Sequence, residues 1–586
     1  MKFLSNILAT VVGIFLFFLI SFLFLLILIS AASEERLVKL EDNSVLHLKL
    51  DKAIMERERP DAFSGLGLVP GFSEGGIGLI QLKDAIRHAA KDEKIAGILL
   101  EAPFILAGYA AVDDIRTELE NFRDSGKFLY AYSELYTEGG YYLASAADSV
   151  FLNPDQSVFE FDGINLERTF LKRMFDKLGI EAYVFKTGDF KDAFEPFTEE
   201  KMNPRAKEHL DQLINALYGN ILKNVARSRN MEVDEVARIS KGALAIGAED
   251  ALDLGLVDVL AYRDEVYDIL RQKTGLERDD KLKTVSYGRY RKSYKDNPTS
   301  KNRIAVIMAD GEIIGGKGES GMVGSERFAE EISNARKDGK IKAIVLRVNS
   351  PGGGALASDV IWREIELAAA EKPVIASMGD VAASGGYYLA MACDTIVVQP
   401  NTITGSIGVT AFMFNVEKLM SDKIGLTTDQ VKTGDHSDLY SMSRPKTPHQ
   451  IQMLQMRTNE AYASFLEKAA KGRNMSVEQL ESLAGGRVWT GEQALQSGLV
   501  DLFGDLDRAI EIAAEKAGIS GDFRLRYYPV QKDPIEELLS RLSGDMETRI
   551  ARNRLGIFYD AVDKLRVIER YQGIQARLPF DLQYGF

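Results

Sequence analysis

A chain of 586 residues is too long for a single hydrophobic core and predicts two or more domains. Apolar residues make up 46% and charged residues 27%, a globular balance, and the net charge of −14 argues against the basic face that a nucleic-acid partner would require. One cysteine, Cys393, excludes an intrachain disulfide framework, and five histidines (His47, His88, His209, His436, His449) show no metal-ligand spacing, so neither a metal nor another cofactor is expected.

The first predicted element is a membrane anchor over residues 4–30. No charge occurs from Phe3 to Ser33, and Ile7 to Ile29 is almost wholly apolar. As a helix at ~1.5 Å per residue, that stretch reaches about 35 Å, enough for a ~30 Å hydrocarbon core. It is too long for the apolar region of a cleaved signal peptide, which runs to about 15 residues. Lys2 before the span and Glu34 and Glu35 after it place the N-terminus in the cytoplasm and the remainder outside. In a bacterium this means a single-pass protein of the inner membrane, with its domains on the periplasmic or extracytoplasmic side.

The rest of the chain is a tandem repeat. GGYYLA occurs twice, and in the shared frame Glu138 stands where the second copy has Ser384, 246 residues on. IAGILL at Ile95 and IKAIVL at Ile341 keep that offset, as do Lys177 with Lys423 and Lys186 with Lys432. Beyond this the register drifts slightly, to 244 between the two RNM segments at Arg229 and Arg473. The expected organisation is a first repeat over 40–284, a polar linker over 285–302, a second repeat over 303–530 and a charged helical arm over 531–586. Within the second copy, Ala343–Val348 reads as a buried strand and 357–370 as an amphipathic helix. PVIASM follows as a strand, GGYYLAMA as a helix and TIVVQ as a third strand. This alternation predicts an α/β fold with parallel sheets in each copy.

The differences between the copies carry the chemistry. After its first strand the second copy has Asn349-Ser350-Pro351-Gly352-Gly353-Gly354, whose backbone N–H groups can face an oxyanion. The first copy has Leu106 and Ala107 at the positions of Gly352 and Gly353. Ser384 falls at a helix start, where a serine is usually a cap. The loss of its hydroxyl in the other copy raises the nucleophile reading. Lys191 in KTGDFKDAFEPF aligns with Ser437, so the first copy keeps a lysine and lacks the serine, and the second does the reverse. One active site divided between the copies accounts for both losses.

NSPGGG, VAASGGYY, NTITGSIG and KDAFEPF together resemble the signal peptide peptidase A (protease IV) family in its long, duplicated 67K-type form. The resemblance covers nearly the whole chain after the anchor. It implies tandem ClpP/crotonase-like domains and a membrane-anchored Ser–Lys endopeptidase acting on cleaved signal peptides or other small hydrophobic peptides. It further implies a homo-oligomer, expected to be a ring. By residue it suggests Ser384 as nucleophile, Lys191 as general base and Ser406 as the group that orients the lysine. Gly354 departs from the family, whose members often have serine there.

In that reading neutral Lys191 takes the Ser384 proton, and N–H groups near Gly353 and Gly385 hold the oxyanion. A free lysine titrates near 10.4, so burial has to lower it; a drop of ~3 units corresponds to about 4 kcal/mol. Phe190, Phe194 and Phe197 are the expected apolar surroundings. Two other classes compete: a crotonase-like acyl-CoA thioester enzyme and a non-catalytic membrane scaffold. A Ser384–His436 pair is a weaker rival, because the first copy has Phe190 at the position of His436.

Overall fold

The computed structural model describes residues 6, 10, 12–18, 20–21, 38–58, 76–295, 299–319, 321–530 and 573–578. Six parallel strands form a first sheet in the order Val259–Leu260, Ser149–Leu152, Phe128–Ser133, Ile95–Glu101, Ser44–Lys49 and Thr284–Ser286. All seven residues of Ile95–Glu101 are wholly or partly buried, as expected of a parallel strand covered on both faces. The helices Leu79–Lys91 and Tyr109–Asp124 bury their apolar stripes in the same core.

The second copy builds the corresponding sheet. Its order is Val488–Thr490, Ile403–Gly405, Val374–Ala383, Ile341–Ser350, Arg303–Asp310 and Arg524–Tyr528, with Thr395–Val398 also beside Val374–Ala383. The pairings are parallel except that of Ile403–Gly405 with Val488–Thr490. The three strands and two helices expected here from the sequence all form, within a few residues of their expected ends.

The repeat is also visible in the two long helices, Pro204–Arg229 and Pro448–Arg473, of 26 residues each. Both start with proline after a side-chain cap: Asn203 accepts from the Ala206 N–H, and Thr447 from that of Gln450. Both stop at an asparagine in the left-handed region, Asn230 at φ 52° and Asn474 at φ 53°.

A third sheet joins the copies. Its order is Met322–Gly324, Glu312–Ile314, Gly352–Gly354, Gly573–Arg577, Thr410–Asn415 and Glu181–Lys186. The last pairing, antiparallel from Thr410↔Lys186 to Asn415↔Glu181, lays a strand of the first copy on one of the second. Polar contacts reinforce this junction. Buried Arg347 donates to both carboxylate oxygens of Glu56, at 2.9 and 3.0 Å. Asp380 accepts from the Ala111 N–H at 2.8 Å, in the first turn of the helix Tyr109–Asp124. Lys83 reaches Asp505 at 2.5 Å.

Most of the 4–30 span lies outside the described residues; within it, residues 12–18 are helical and exposed. Among the described residues, no helix is long and apolar enough to cross a membrane. Of the arm expected to be helical, the described part is a strand, Gly573–Arg577. The reason is a period of two, in which Ile574, Ala576 and Leu578 alternate with Gln575 and Arg577. The remainder of that arm lies outside the described residues.

Candidate active site

Ser384 follows the strand Val374–Ala383 and precedes the short helix Gly385–Ala390. It caps nothing through its side chain. Its backbone sits at φ 56° and ψ −112°, a sparsely populated conformation for a residue with a Cβ. The turn is held by the Ser384 N–H, which donates to the Gly405 carbonyl at 2.8 Å. Ser406, one residue past the strand Ile403–Gly405, also has positive φ, at 51°.

Lys191 arrives from the other copy. The strand Glu181–Lys186 delivers the loop, and Thr187 then exchanges hydrogen bonds with the Val409 backbone at 2.9 to 3.1 Å. The Phe190 N–H donates to the Gly485 carbonyl at 3.0 Å. The lysine Nζ therefore lies 2.7 Å from Ser384 Oγ, 2.8 Å from the Ser406 carbonyl oxygen and 3.0 Å from Ser406 Oγ. All three residues are 0% exposed and belong to one chain.

This coordination suits an uncharged amine. Its two N–H groups match the two Ser406 oxygens, and its lone pair is left to accept from the Ser384 hydroxyl. Burial pushes the Lys191 amine well below the ordinary lysine range, and only the neighbouring Asp192 opposes it. Asp192 is itself pushed up to about 6 by burial. Two glycines let the lysine stem pass. A Cβ on Gly408 would lie 3.2 Å from Lys191 Cδ, and one on Gly486 would lie 2.7 Å from both its Cα and its Cβ. Phe194 and Phe197 stack on Phe412 at 4.7 and 4.9 Å, and Phe190 lies 5.1 Å from His209. These rings brace the loop, while the glycines close around the lysine itself. The sequence reading missed Gly408 and Gly486; the adjacent Gly485-Gly486 pair, both at positive φ, was the available signal.

The glycine loop lies beside the serine. Gly352–Gly354 forms a short strand, with φ of 99° at Gly352 and 154° at Gly353. A Cβ on Gly352 would be 2.7 Å from the Gly385 backbone nitrogen, which places the two segments against each other. Gly352 is thus packed against Gly385, the residue that follows Ser384.

The other candidates go elsewhere. Glu138 accepts from the N–H groups of Asp162 and Gly163 at 3.0 and 3.1 Å and from the Tyr218 hydroxyl at 2.5 Å, and burial pushes it up to about 7. Ser437 is exposed and donates to the Gly434 carbonyl. His436 packs against His449, with ring centres 4.7 Å apart. His209 accepts from the Val488 N–H at 3.0 Å, and burial lowers it to about 4, a neutral structural acceptor. Among the described residues, one carboxylate group, Glu118, Asp505 and Asp507, is close enough to share a metal ion. Lys83 and Arg87 already pair with it.

An α/β chain that buries an amine against a serine hydroxyl, beside a glycine loop, carries groups of the kind a serine hydrolase uses. Peptidase family S49 matches the chain twice, over residues 121–277 and 366–520. The chloroplastic serine protease SPPA of Arabidopsis thaliana is 36% identical over 86% of this chain and 74% of its own length. Protease 4 of Salmonella typhi is 37% identical over 80% of this chain and 77% of its own, and Protease 4 of Haemophilus influenzae 34% over 79% and 77%. The chain belongs to peptidase family S49 and is a serine peptidase of the long, duplicated type.

The buried amine has a consequence for stability. The unfolded chain protonates Lys191 up to about pH 10.4, while the folded chain gives up that proton at much lower pH. In that window the unfolded state binds more protons, so native stability rises with pH. Lys191→Met is expected to melt above the wild type at pH 7, with the gap narrowing as pH approaches 10. Thermal melts of both proteins across this range check it; a constant gap would mean that the amine is charged in the fold.

Proposed function

We propose that the chain is a Ser–Lys endopeptidase in which Ser384 is the nucleophile and Lys191 the general base. The observation that carries this is the 2.7 Å contact of Lys191 Nζ with Ser384 Oγ, fully buried and bridged to Ser406. The amine takes the hydroxyl proton as Oγ attacks a peptide carbonyl, and then hands it to the leaving amine. Ser406 fixes the amine through its carbonyl and hydroxyl. The N–H groups of Gly353 and Gly385 stabilise the oxyanion. The domain division at 40–284 and 303–530, each a ClpP/crotonase-like unit, follows the two separate parallel sheets.

The substrates in this reading are cleaved signal peptides or other small hydrophobic peptides. The uncharged run from Phe3 to Ser33 anchors the chain as a single pass in the inner membrane. The catalytic part then faces the periplasmic or extracytoplasmic side, where such peptides leave the bilayer.

The oligomer follows from the repeat. Glu181–Lys186 pairs with Thr410–Asn415 within the chain. Shifted by 246 residues, the equivalents are 427–432 and 164–169, and neither forms a strand here. Residues 427–432 are all exposed, Val431 completely. The same antiparallel join between neighbouring chains repeats head to tail and closes into a ring.

Two experiments test these assignments. A fluorophosphonate probe is expected to label Ser384, and Ser384→Ala to lower kcat/KM for peptide hydrolysis by about 10⁴-fold or more. Label on another serine, or undiminished turnover, would remove the nucleophile assignment. Val431→Pro, which takes an N–H out of the proposed intersubunit strand, is expected to shift the assembly to smaller species by light scattering. An unchanged mass would place the interface elsewhere.

A further inference from the structure

The turn that follows Lys191 is gripped by a guanidinium from another part of the first copy. Arg168 lies between the strand Val158–Phe159 and the helix Lys172–Leu178. Its Nη2 donates to the carbonyl oxygens of Asp192 and Ala193, at 2.5 and 3.3 Å. Its Nη1 lies 3.4 Å from Asp192 Oδ2 and 3.7 Å from Glu195 Oε2. One guanidinium can face four oxygens because its donors are fixed in a rigid fork. The three side chains are buried together: Arg168 is 8%, Asp192 4% and Glu195 5% exposed. Close by, the Leu171 N–H donates to the Pro196 carbonyl at 2.7 Å, so main chain and side chain clamp the same loop.

This arrangement belongs to the copy that supplies the amine. In the 246-residue register Arg168 stands opposite Phe414, Lys191 opposite Ser437 and Glu195 opposite Ser441, while Asp192 keeps a counterpart in Asp438. Phe414 is an apolar core residue, and Asp438 pairs with Lys432 at 3.2 Å. The guanidinium is present where the buried lysine is, and absent where it is not. Charge gives the reason. Burial pushes the Lys191 amine down, and only Asp192 works to keep a proton on it. Burial pushes Asp192 up to about 6; Arg168 is the first charge that opposes this, and Glu195 adds to the rise. Glu195 Oε2 takes no hydrogen bond among the described residues and faces the same guanidinium. The other charges around the loop are exposed Lys186, the exposed Asp189–Arg205 pair and Arg487, 4.6 Å over the Phe190 ring; His209, beside that ring, is neutral. Without Arg168 the loop would hold two buried carboxylates and no cation except a protonated Lys191.

We propose that Arg168 is a positioning residue for the general base, seating the turn from Asp192 to Glu195 and balancing both carboxylates so that neither keeps a proton on Lys191; this rests on the Ser–Lys reading above. Arg168 acts through the loop rather than on the reacting atoms. Its two contributions are separable. Its charge sets the pH at which the amine can take the Ser384 proton. Its hydrogen bonds to the Asp192 and Ala193 carbonyls set how well the amine is placed, at every pH. A lysine at position 168 would keep the first and lose the forked geometry of the second.

The rate at which a fluorophosphonate labels Ser384 in the full chain, followed across pH, tests the proposal without a choice of peptide. The rate rises as Lys191 gives up its proton. Arg168→Gln is expected to move the midpoint of this rise upward by about one pH unit or more. Asp192→Asn is expected to move it downward, and adding Asp192→Asn to Arg168→Gln to bring it back toward the wild type. Arg168→Lys is expected to hold the midpoint and lower the plateau. A lowered plateau with an unmoved midpoint in Arg168→Gln would overturn the proposal and leave the Ser–Lys reading standing. So would a midpoint raised as far by Arg168→Lys as by Arg168→Gln. If Arg168→Gln does not fold, Asp192→Asn decides alone, and a midpoint that fails to fall overturns the proposal. Failure of the wild type to label at Ser384 would overturn both readings.

Discussion

An amine has to be kept uncharged inside the protein, against a serine hydroxyl, and the rest of the structure depends on that constraint. Lys191 in water would hold its proton to about pH 10.4 and could accept none from Ser384. Complete burial pushes the amine well below that range, and the partners around Nζ suit two N–H groups and one lone pair. Burying such a group works against folding, so the surrounding contacts must offset it. The strand pairing of Glu181–Lys186 with Thr410–Asn415, the Thr187–Val409 bonds and the Arg347–Glu56 pair all cross the same junction. They hold the two copies in the one arrangement that places Lys191 on Ser384.

The duplication explains how this arrangement is possible. Each copy folds its own parallel sheet and its own long helix, but the lysine loop of the first copy lies on the second. Glu138 fills the position of Ser384 in the first copy with a buried carboxyl, satisfied by two backbone N–H groups and Tyr218. In the second copy, the segment that corresponds to the lysine loop is exposed and carries Ser437.

Much of this was legible in the sequence. The 246-residue register made the complementary presence of serine and lysine visible, and the strand and helix periods around Ser384 placed it at a strand–helix turn. The glycines at 352 and 353 were readable because their aligned residues, Leu106 and Ala107, cannot replace them. The close passage of Lys191 past Gly408 and Gly486 was hinted at only by the Gly485-Gly486 pair, because it joins residues 217 and 295 positions apart in the chain. Phe190, Phe194 and Phe197 were the aromatic residues expected around the amine; Phe190 has a ring contact with His209, and Phe194 and Phe197 with Phe412. The strand at Gly573–Arg577 has a clear period of two, but its five residues are too few to outweigh the charged sequence before it.

The division of one site between two halves of a single chain is tested most directly by mixing. Ser384→Ala chains and Lys191→Ala chains are unfolded together, reassembled, confirmed as a mixed oligomer and assayed for peptide hydrolysis. Each half-site is then complete only if the serine of one chain meets the lysine of another. With Lys191 and Ser384 paired inside one chain, activity stays at the background of either variant alone; recovery of a substantial fraction of wild-type activity would contradict the intrachain site.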